Sequence, residues 1–343
     1  MNDESTKKIE ILITYPLPED LINKLKGVSP HLNITVLPAK SQQEINEEVW
    51  KKTEVLITER VIPPPEKVPA LKWIQFNYAG IDSAVDEEIF KNSSIQKTTL
   101  SGAAAPQVAE FVLAMMLALS HKLPSILKFQ MNHEWPPDRF ARFSPKEIRS
   151  STVGLIGYGS ISREIARLLT PFGVTILASK KNVMQTLDTG YLIDGLGDPQ
   201  GDLFTRLYPF QAIKSMMKEC DFVVVTVPLT EETYHLIAEE ELAILKPTAF
   251  IVDISRGGVI KTSALKAALQ EKKLAGAALD VFEQEPLPKD HPLWDTPNLI
   301  ISPHIAGSSR HYNERSVDLI VENLKRYLND STLLNTFDPD LGY

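Results

Sequence analysis

Cysteine is almost absent from the sequence, since the 343 residues contain only Cys220. A single thiol excludes an internal disulfide and a metal site built from several cysteines. Cys220 comes just before the apolar segment DFVVV, so we expect a thiol packed in the core rather than a catalytic one. We predict no bound metal.

Runs of like charge and long apolar segments are also lacking. The chain carries 36 basic and 44 acidic side chains, a net charge of −8, with no block of five like charges, so we expect no nucleic-acid partner. The longest apolar run, residues 111–120, is too short to span a bilayer, and the N-terminal segment is polar. We therefore expect no membrane partner, no export signal and a cytoplasmic location.

The order of apolar segments predicts two α/β domains, which suits a chain of 343 residues at roughly 150 residues per domain. Strands alternate with helices up to about residue 100, and a second series begins at Ser151 after an amphipathic helix at 106–123. Strands of the second series are almost continuously apolar, as in a parallel sheet covered on both faces. Residues 132–148, an aromatic and proline-rich arm, and the polar insertion 188–209 show no clear period. The predicted fold is two doubly wound parallel sheets of the Rossmann or flavodoxin type, with a cleft between them.

A glycine-rich turn lies in TVGLIGYGSIS, residues 152–162, between a strand and a helix that starts near Ser160. Gly157 permits the tight turn, and Gly159 lets the backbone approach a pyrophosphate at the helix N-terminus. Ser162 replaces the usual third glycine, and we expect it to affect helix packing more than phosphate binding. The motif alone also suits an ordinary strand–turn–helix, but the neighbouring parallel strands favour a dinucleotide site.

The end of the next strand indicates which dinucleotide binds. An NAD site places an acid there to accept hydrogen bonds from the ribose, whereas the 2′-phosphate of NADP needs donors and positive charge. Here the chain reads ASKK, with Ser179, Lys180 and Lys181. We predict that NADP is preferred and that NAD is possible, although the two lysines could also be solvated residues at a strand end.

Three chemically suitable side chains each follow an apolar strand: Arg256, Glu285 and His304. The carboxyl ends of parallel strands line one crevice, so these side chains can converge. Arginine suits the carboxylate and carbonyl of a 2-keto acid, histidine can donate the proton, and a carboxylate favours the protonated imidazole. Each could alone be a structural residue, but together they predict hydride transfer to a 2-keto acid.

Nearly the whole chain resembles the D-isomer-specific 2-hydroxyacid dehydrogenases. The resemblance is carried by NYAGID (77–82), PQVAEFVLAMMLAL (106–119), GLIGYGSIS (154–162), VPLTEETYHLI (227–237), SRGGVIKTSAL (255–265) and EPLPKDHPLWDTPNLIISPH (285–304). The last two segments are very specific, and the pattern looks most like the glyoxylate and hydroxypyruvate reductase branch. Lys261 stands where members usually carry an acid, which puts a local cap or hydrogen bond in doubt.

The resemblance implies roles for individual residues. It makes Arg256, Glu285 and His304 the catalytic set, and it places Asp280 near the nicotinamide carboxamide. Substrate-binding residues would be Arg256, His304 and the turn Tyr78, Ala79 and Gly80, whose N–H groups would face the substrate carboxylate. Cofactor-binding residues would be Gly157, Gly159, Ser160, Ile161, Ser179, Lys180, Lys181, Val227, Pro228, Thr233, Ile254 and Asp280.

The resemblance also implies a discontinuous domain layout. Residues 1–102 and 308–343 would form the substrate-binding domain, and 103–307 the NAD(P)-binding Rossmann domain, with closure of the two over the substrate. A homodimer is expected, in which Trp135 either crosses to the partner or anchors its own arm as a buried residue.

The function predicted is NAD(P)H-dependent reduction of a small 2-keto acid, such as glyoxylate or hydroxypyruvate, to the D-2-hydroxy acid. One alternative is a regulatory, corepressor-like protein that senses the cofactor on the same fold with little turnover. Another is oxidation of formate or phosphite, although Glu285 argues against the formate branch, which carries glutamine there.

Overall fold

The computed structural model describes residues 8–81 and 84–338. The chain divides into two compact units. Unit 1 comprises Met1–Ala104, Thr189–Tyr191 and Ser309–Tyr343, and unit 2 comprises Ala105–Asp188 and Leu192–Ser308. Unit 1 therefore combines two segments that are far apart along the chain with three residues of the polar insertion.

Both units combine strands and helices within the described residues. The strands are β1 (Ile9–Ile13), β2 (Leu32–Val36), β3 (Val55–Thr58), β4 (Trp73–Phe76), β5 (Gln96–Thr98), β6 (Thr152–Ile156), β7 (Thr175–Lys180), β8 (Arg206–Pro209), β9 (Phe222–Val225), β10 (Phe250–Asp253), β11 (Gly276–Leu279) and β12 (Leu299–Ile301). The α-helices are α1 (Glu19–Lys26), α2 (Glu47–Lys52), α3 (Ala105–Ser120), α4 (Leu123–Met131), α5 (Arg139–Arg142), α6 (Ser160–Leu169), α7 (Ile213–Met217), α8 (Glu239–Ala243), α9 (Thr262–Gln270) and α10 (Tyr312–Leu328). Single 3₁₀ turns lie at Gln42–Glu44, Pro65–Lys67, Glu88–Lys91, Thr170–Phe172, Phe210–Ala212 and Pro292–Asp295.

Unit 1 is built on a five-stranded parallel sheet in the order β2-β1-β3-β4-β5. Successive residues of a strand face opposite sides of the sheet. Ile11 accordingly belongs to the apolar cluster that contains Leu25 of α1 and Leu324 of α10. Leu12 belongs to the cluster on the other face, around Trp50 of α2. Helices thus cover both faces of the sheet, as predicted.

Unit 2 is built on a seven-stranded parallel sheet in the order β12-β11-β10-β9-β6-β7-β8. Its central strands β9, β10 and β11 are buried along their whole length, which explains their continuous apolar sequence. Cys220, just before β9, is fully buried, and its Sγ donates to the carbonyl of Met216 at 3.2 Å. The predicted packed thiol is confirmed, and burial raises its pKa to about 12.

The long helix predicted at 106–123 is shorter than expected. It ends at Ser120, and Lys122 adopts a left-handed conformation (φ 55°) before α4 begins. Across the described ranges no single helix is long and apolar enough to span a membrane, although α3 and α4, bent by 66°, pass that test together. Nine residues of α3 are buried, as expected for a core helix of unit 2.

The arm at 132–148, where the sequence shows no period, contains the short helix α5. Trp135 in this arm is 83% exposed, so the prediction that it anchors its own arm as a buried residue is wrong. The guanidinium of Arg139 lies 5.9 Å from its ring centroid, and Phe140 is also exposed.

The polar insertion is fixed to unit 2 by buried charged groups of α6. Arg163, 1% exposed, donates to the carbonyl oxygens of Asp198 and Thr186 and lies 3.4 Å from the carboxylate of Asp188. The buried Glu164 accepts from Gly197 N at 2.7 Å. The insertion then ends in β8, which pairs with β7 as the edge strand of the sheet, an element that the sequence did not indicate.

Candidate active site

The three predicted catalytic residues follow three adjacent strands of unit 2. Arg256 comes after β10, Glu285 after β11 and His304 after β12, and these strands pair in parallel. They therefore lie at one edge of the sheet, where the carboxyl ends of the strands meet.

Glu285 and His304 form a direct pair. The Nδ1 atom of His304 lies 2.7 Å from Glu285 Oε2, and Glu285 Oε1 accepts from Phe282 N at 2.9 Å. Both side chains are partly exposed, 46% for His304 and 34% for Glu285. The carboxylate contact at Nδ1 fixes the ring so that Nε2 faces away from Glu285, which is the arrangement that a proton donor requires.

Backbone geometry also sets the position of His304. Its φ is 52°, in the left-handed region that residues other than glycine seldom adopt. Such a conformation persists only where the surrounding structure holds it. On one side Ser302 Oγ donates to Asp280 Oδ1 at 2.7 Å, and on the other Gln107 Nε2 of α3 donates to the carbonyl of Gly307 at 2.8 Å.

Asp280 is the main support of this histidine loop. It is 2% exposed and, besides Ser302, accepts from Ile305 N at 2.9 Å and from Ala306 N at 2.8 Å. The structure thus gives Asp280 a role within the protein that the sequence did not indicate. Its predicted proximity to the nicotinamide carboxamide stays a prediction.

The arginine loop is supported in the same way by Asp253, a residue that the sequence analysis missed. Asp253 ends β10, is 2% exposed, and accepts from both the backbone N (2.9 Å) and the hydroxyl of Ser255. Arg256 Nη1 in turn donates to the carbonyl of Ser255 at 2.8 Å. A signal was present in the sequence, since β10 ends on Asp253 and β11 is followed directly by Asp280, so an acid stands at the carboxyl end of both apolar strands.

Burial of Asp253 has an electrostatic consequence. Loss of hydration raises the pKa of this carboxyl to about 7, the bonds from Ser255 oppose that rise, and the charge of Asp280 adds to it. The positive charge of Arg256 acts in the opposite direction.

The arginine and glutamate loops touch at Gly257. A Cβ atom built on this residue would lie 1.8 Å from the carbonyl oxygen of Phe282 and 2.7 Å from Glu283 N. The Nζ of Lys261, further along the same loop, lies 2.8 Å from Glu239 Oε1, and its side chain does not cap α9.

The glycine turn has the geometry of a phosphate-binding turn. Gly157 adopts φ 91°, and a Cβ there would lie 2.9 Å from Val227 Cγ1. Gly159 precedes the first residue of α6, no side chain caps that helix, and a Cβ on Gly159 would meet nothing within 4 Å. Ser160 and Ile161 form the first turn of α6. The open approach to uncapped N–H groups fits the pyrophosphate of a dinucleotide.

Ser162 is accommodated within the fold. It is fully buried, and its hydroxyl lies 2.9 Å from that of Thr226, which also donates to the carbonyls of Ile156 and Gly157. The serine in place of the third glycine therefore adds a hydrogen bond between α6 and the segment after β9.

Two lysines, Lys180 and Lys181, lie at the carboxyl end of β7. Ser179 is buried and its hydroxyl accepts from Gly157 N at 3.3 Å. Lys180 Nζ donates to the carbonyl of Gln185 at 2.6 Å, and burial lowers its pKa. Lys181 Nζ lies 3.0 Å from a carboxylate oxygen of Glu232.

The other predicted cofactor residues lie after neighbouring strands. Val227 and Pro228 follow β9, and Thr233 donates to the carbonyl of Pro228 at 2.6 Å. Ile254 follows β10 and is 8% exposed.

The predicted carboxylate-binding turn, Tyr78, Ala79 and Gly80, follows β4 and belongs to unit 1. Tyr78 is half-buried, burial and the charge of Glu59 raise its pKa, and Ala79 is exposed. The predicted catalytic residues belong to unit 2, so the action of this turn and of those residues on one substrate stays a prediction. In the part of the chain that the structure describes, no group of three or more His, Cys, Asp or Glu side chains could hold a metal ion.

Two doubly wound sheets, a dinucleotide-type glycine turn and an arginine, glutamate and histidine at one sheet edge define a two-domain dehydrogenase. Comparison with known proteins gives the family. Residues 113–306 match the family described as D-isomer specific 2-hydroxyacid dehydrogenase, NAD binding domain. The chain belongs to the D-isomer-specific 2-hydroxyacid dehydrogenases.

Individual relatives match over nearly their full length. The chain is 32% identical to a glyoxylate reductase of Thermococcus gammatolerans, covering 96% of both chains, and 33% identical to one of Thermococcus onnurineus, again covering 96% of both. Among solved structures, a D-isomer specific 2-hydroxyacid dehydrogenase of Xanthobacter autotrophicus in complex with NADPH and MES is 25% identical. Its TM-score is 0.80, with coverage of 98% of this chain and 100% of that one.

Proposed function

We propose that this protein reduces a small 2-keto acid, of the glyoxylate or hydroxypyruvate kind, to the D-2-hydroxy acid, with NADPH preferred over NADH. The observation that carries the proposal is the 2.7 Å contact between His304 Nδ1 and Glu285 Oε2, next to the strand that Arg256 follows. The two glyoxylate reductases with about a third of their residues identical support this substrate class.

The residues divide the chemistry between them. The guanidinium of Arg256 binds the substrate carboxylate and polarises the keto oxygen, since its fixed donors match a carboxylate and keep their charge. His304 donates a proton from Nε2 to the oxygen as negative charge develops there. Glu285, held by Phe282 N, stabilises the protonated imidazole through Nδ1. NADPH, when bound, would supply the hydride.

The cofactor would be held by unit 2. The glycine turn and the first turn of α6 would take the pyrophosphate. Lys180 and Lys181 at the end of β7, where an NAD site would place an acid, support a preference for the 2′-phosphate of NADP. The relative that was solved with NADPH agrees with this preference. Unit 1, with Tyr78, Ala79 and Gly80, would bind the substrate carboxylate.

We further propose a homodimer formed through the arm and α4. Large apolar side chains are exposed there, at 46% for Leu127, 75% for Met131, 83% for Trp135 and 80% for Phe140. Exposed apolar patches of this kind mark interaction surfaces. Light scattering should give twice the mass of one 38.3 kDa chain, and a Trp135→Glu, Phe140→Glu variant should give a single chain.

The test of the reaction is the initial rate of NADPH and NADH oxidation with glyoxylate, hydroxypyruvate, pyruvate and a phenyl-bearing keto acid. We expect turnover of the small acids, faster with NADPH, and at least about a 100-fold lower kcat in His304→Ala, which removes a general acid. Cofactor binding without turnover would refute the reductase and favour the regulatory protein. Folded His304→Ala and Arg256→Ala variants with full activity would refute the assigned roles.

A further inference from the structure

A continuous chain of hydrogen bonds joins a buried acid to the arginine of the site. Asp253 Oδ1 accepts from Ser255 N at 2.9 Å and from the Ser255 hydroxyl. The carbonyl of the same Ser255 accepts from Arg256 Nη1 at 2.8 Å. Ser255 therefore contacts the guanidinium through its carbonyl and is itself held by Asp253 through its N–H and its hydroxyl.

Burial of an ionised carboxylate is costly, so the presence of Asp253 at this position needs an explanation. Asp253 is 2% exposed, and Asp280, directly after the neighbouring strand β11, adds a second buried carboxyl. A small cavity of about 10 Å³ adjoins Asp253 and is also lined by Gly257, Thr262 and Glu283. Buried carboxyls are costly unless they are hydrogen-bonded, and both bonds that Asp253 accepts come from the residue before Arg256.

The same arrangement, a buried aspartate that accepts hydrogen bonds from a loop of the site, occurs at the ends of two adjacent strands. Asp280 accepts from Ser302, Ile305 and Ala306 and fixes the loop of His304, whereas Asp253 accepts from Ser255 and fixes the loop of Arg256. We infer that Asp253 is a positioning residue for keto-acid reduction, which acts through Ser255 to hold the Arg256 guanidinium in the orientation that binds the substrate carboxylate. The inference rests on the proposed function and adds a residue to it.

The first experiment compares Asp253→Ala with Asp253→Asn in the full-length protein. Alanine removes the acceptor of both bonds, and we expect kcat/KM for the keto acid to fall by about 10- to 100-fold. Asparagine keeps an acceptor oxygen at Oδ1, and we expect it to restore most of that loss. The Kd for NADPH should change by less than a factor of about two in both, because Asp253 acts only through Arg256.

A double-mutant cycle separates positioning from a general loss of structure. In an Arg256→Gln background, Asp253→Ala should change the residual kcat/KM by less than about twofold, since the group that it positions is gone. If Asp253→Ala fails to fold, as judged by its melting curve, Ser255→Ala replaces it. This second variant removes one of the two bonds and should give a smaller loss that is likewise absent with Arg256→Gln.

Binding of oxamate to the enzyme–NADPH complex gives a readout without turnover. Oxamate offers a carboxylate to Arg256, so its Kd should rise about 10- to 100-fold in Asp253→Ala and recover in Asp253→Asn. An active wild type with unchanged kcat/KM in Asp253→Ala, or an equal loss in both backgrounds, would overturn this inference alone. A wild type that binds oxamate without reducing any keto acid would refute the proposed reaction, and the oxamate comparison would still decide the role of Asp253. No turnover and no oxamate binding would overturn both.

Discussion

Replacement of Gly257 by alanine should disable the site by steric displacement. The Cβ atom would lie 1.8 Å from the carbonyl oxygen of Phe282, whereas non-bonded heavy atoms pack at about 3.5 Å or more. One of the two backbones must therefore move by roughly 1.7 Å. Both contacting segments are backbone, so no flexible side chain can absorb the shift.

The displaced loops carry the proposed catalytic groups. Gly257 follows Arg256 directly. Phe282 N donates to Oε1 of Glu285, whose other oxygen, Oε2, lies 2.7 Å from His304 Nδ1. A misplacement of about 1 Å at a catalytic group can cost a factor of about 100. We expect Gly257→Ala to lower kcat/KM for the keto acid by at least about 100-fold and stability by about 1–3 kcal/mol, as for overpacking.

Steady-state kinetics and thermal melting measure the two effects. Gly307→Ala is the matched control, because Gly307 lies beside the histidine loop and a Cβ there would meet nothing within 4 Å. We expect this control to keep kcat/KM within about twofold of the wild type. A folded Gly257→Ala enzyme that keeps half of the wild-type kcat/KM would refute the reasoning.

Three further predictions concern stability. Burial raises the pKa of Asp253 to about 7, so the native state binds one more proton than the unfolded chain between about pH 4 and 7. The stability of the wild type relative to Asp253→Asn should therefore fall as the pH rises through that range and level off above pH 7. Relative to that of Asp253→Asn, the melting midpoint of the wild type should be several degrees lower at pH 8 than at pH 4. A constant difference between the two at all pH values would contradict this. Ser162→Ala removes the bond to Thr226 and should cost about 1 kcal/mol in urea unfolding, with the Kd for NADPH changed by less than about threefold. In a Thr226→Val background Ser162→Ala should cost nothing further, and a full second loss there would contradict the pairing. Arg163→Met leaves Asp188 and the carbonyl of Asp198 without their buried cation and should lower the free energy of unfolding by about 3–5 kcal/mol. Proteolysis within residues 188–204 should become faster, and an unchanged rate would argue against the role of Arg163 in holding the insertion.

Local sequence signals were sufficient for the fold class and for the catalytic candidates. Continuous apolar strands and the glycine turn depend on neighbours within about ten residues, so they can be read directly from the sequence. Arg256, Glu285 and His304 each follow such a strand, and their meeting at one edge follows from parallel pairing. The sequence could not show β8 inside the insertion, because its residues acquire strand geometry only by pairing with β7.

The sequence by itself determined which side chains follow the strands of unit 2, because strand period and strand ends are local properties. Only the tertiary structure decided what holds them in place. Asp253 and Asp280 support the two loops because adjacent strands end side by side, and Gly257 is required because a distant backbone, at Phe282, passes within contact distance. Ser162 fits because Thr226, 64 residues later, meets its hydroxyl. These contacts depend on distances between segments that are far apart along the chain, and no local pattern encodes such distances.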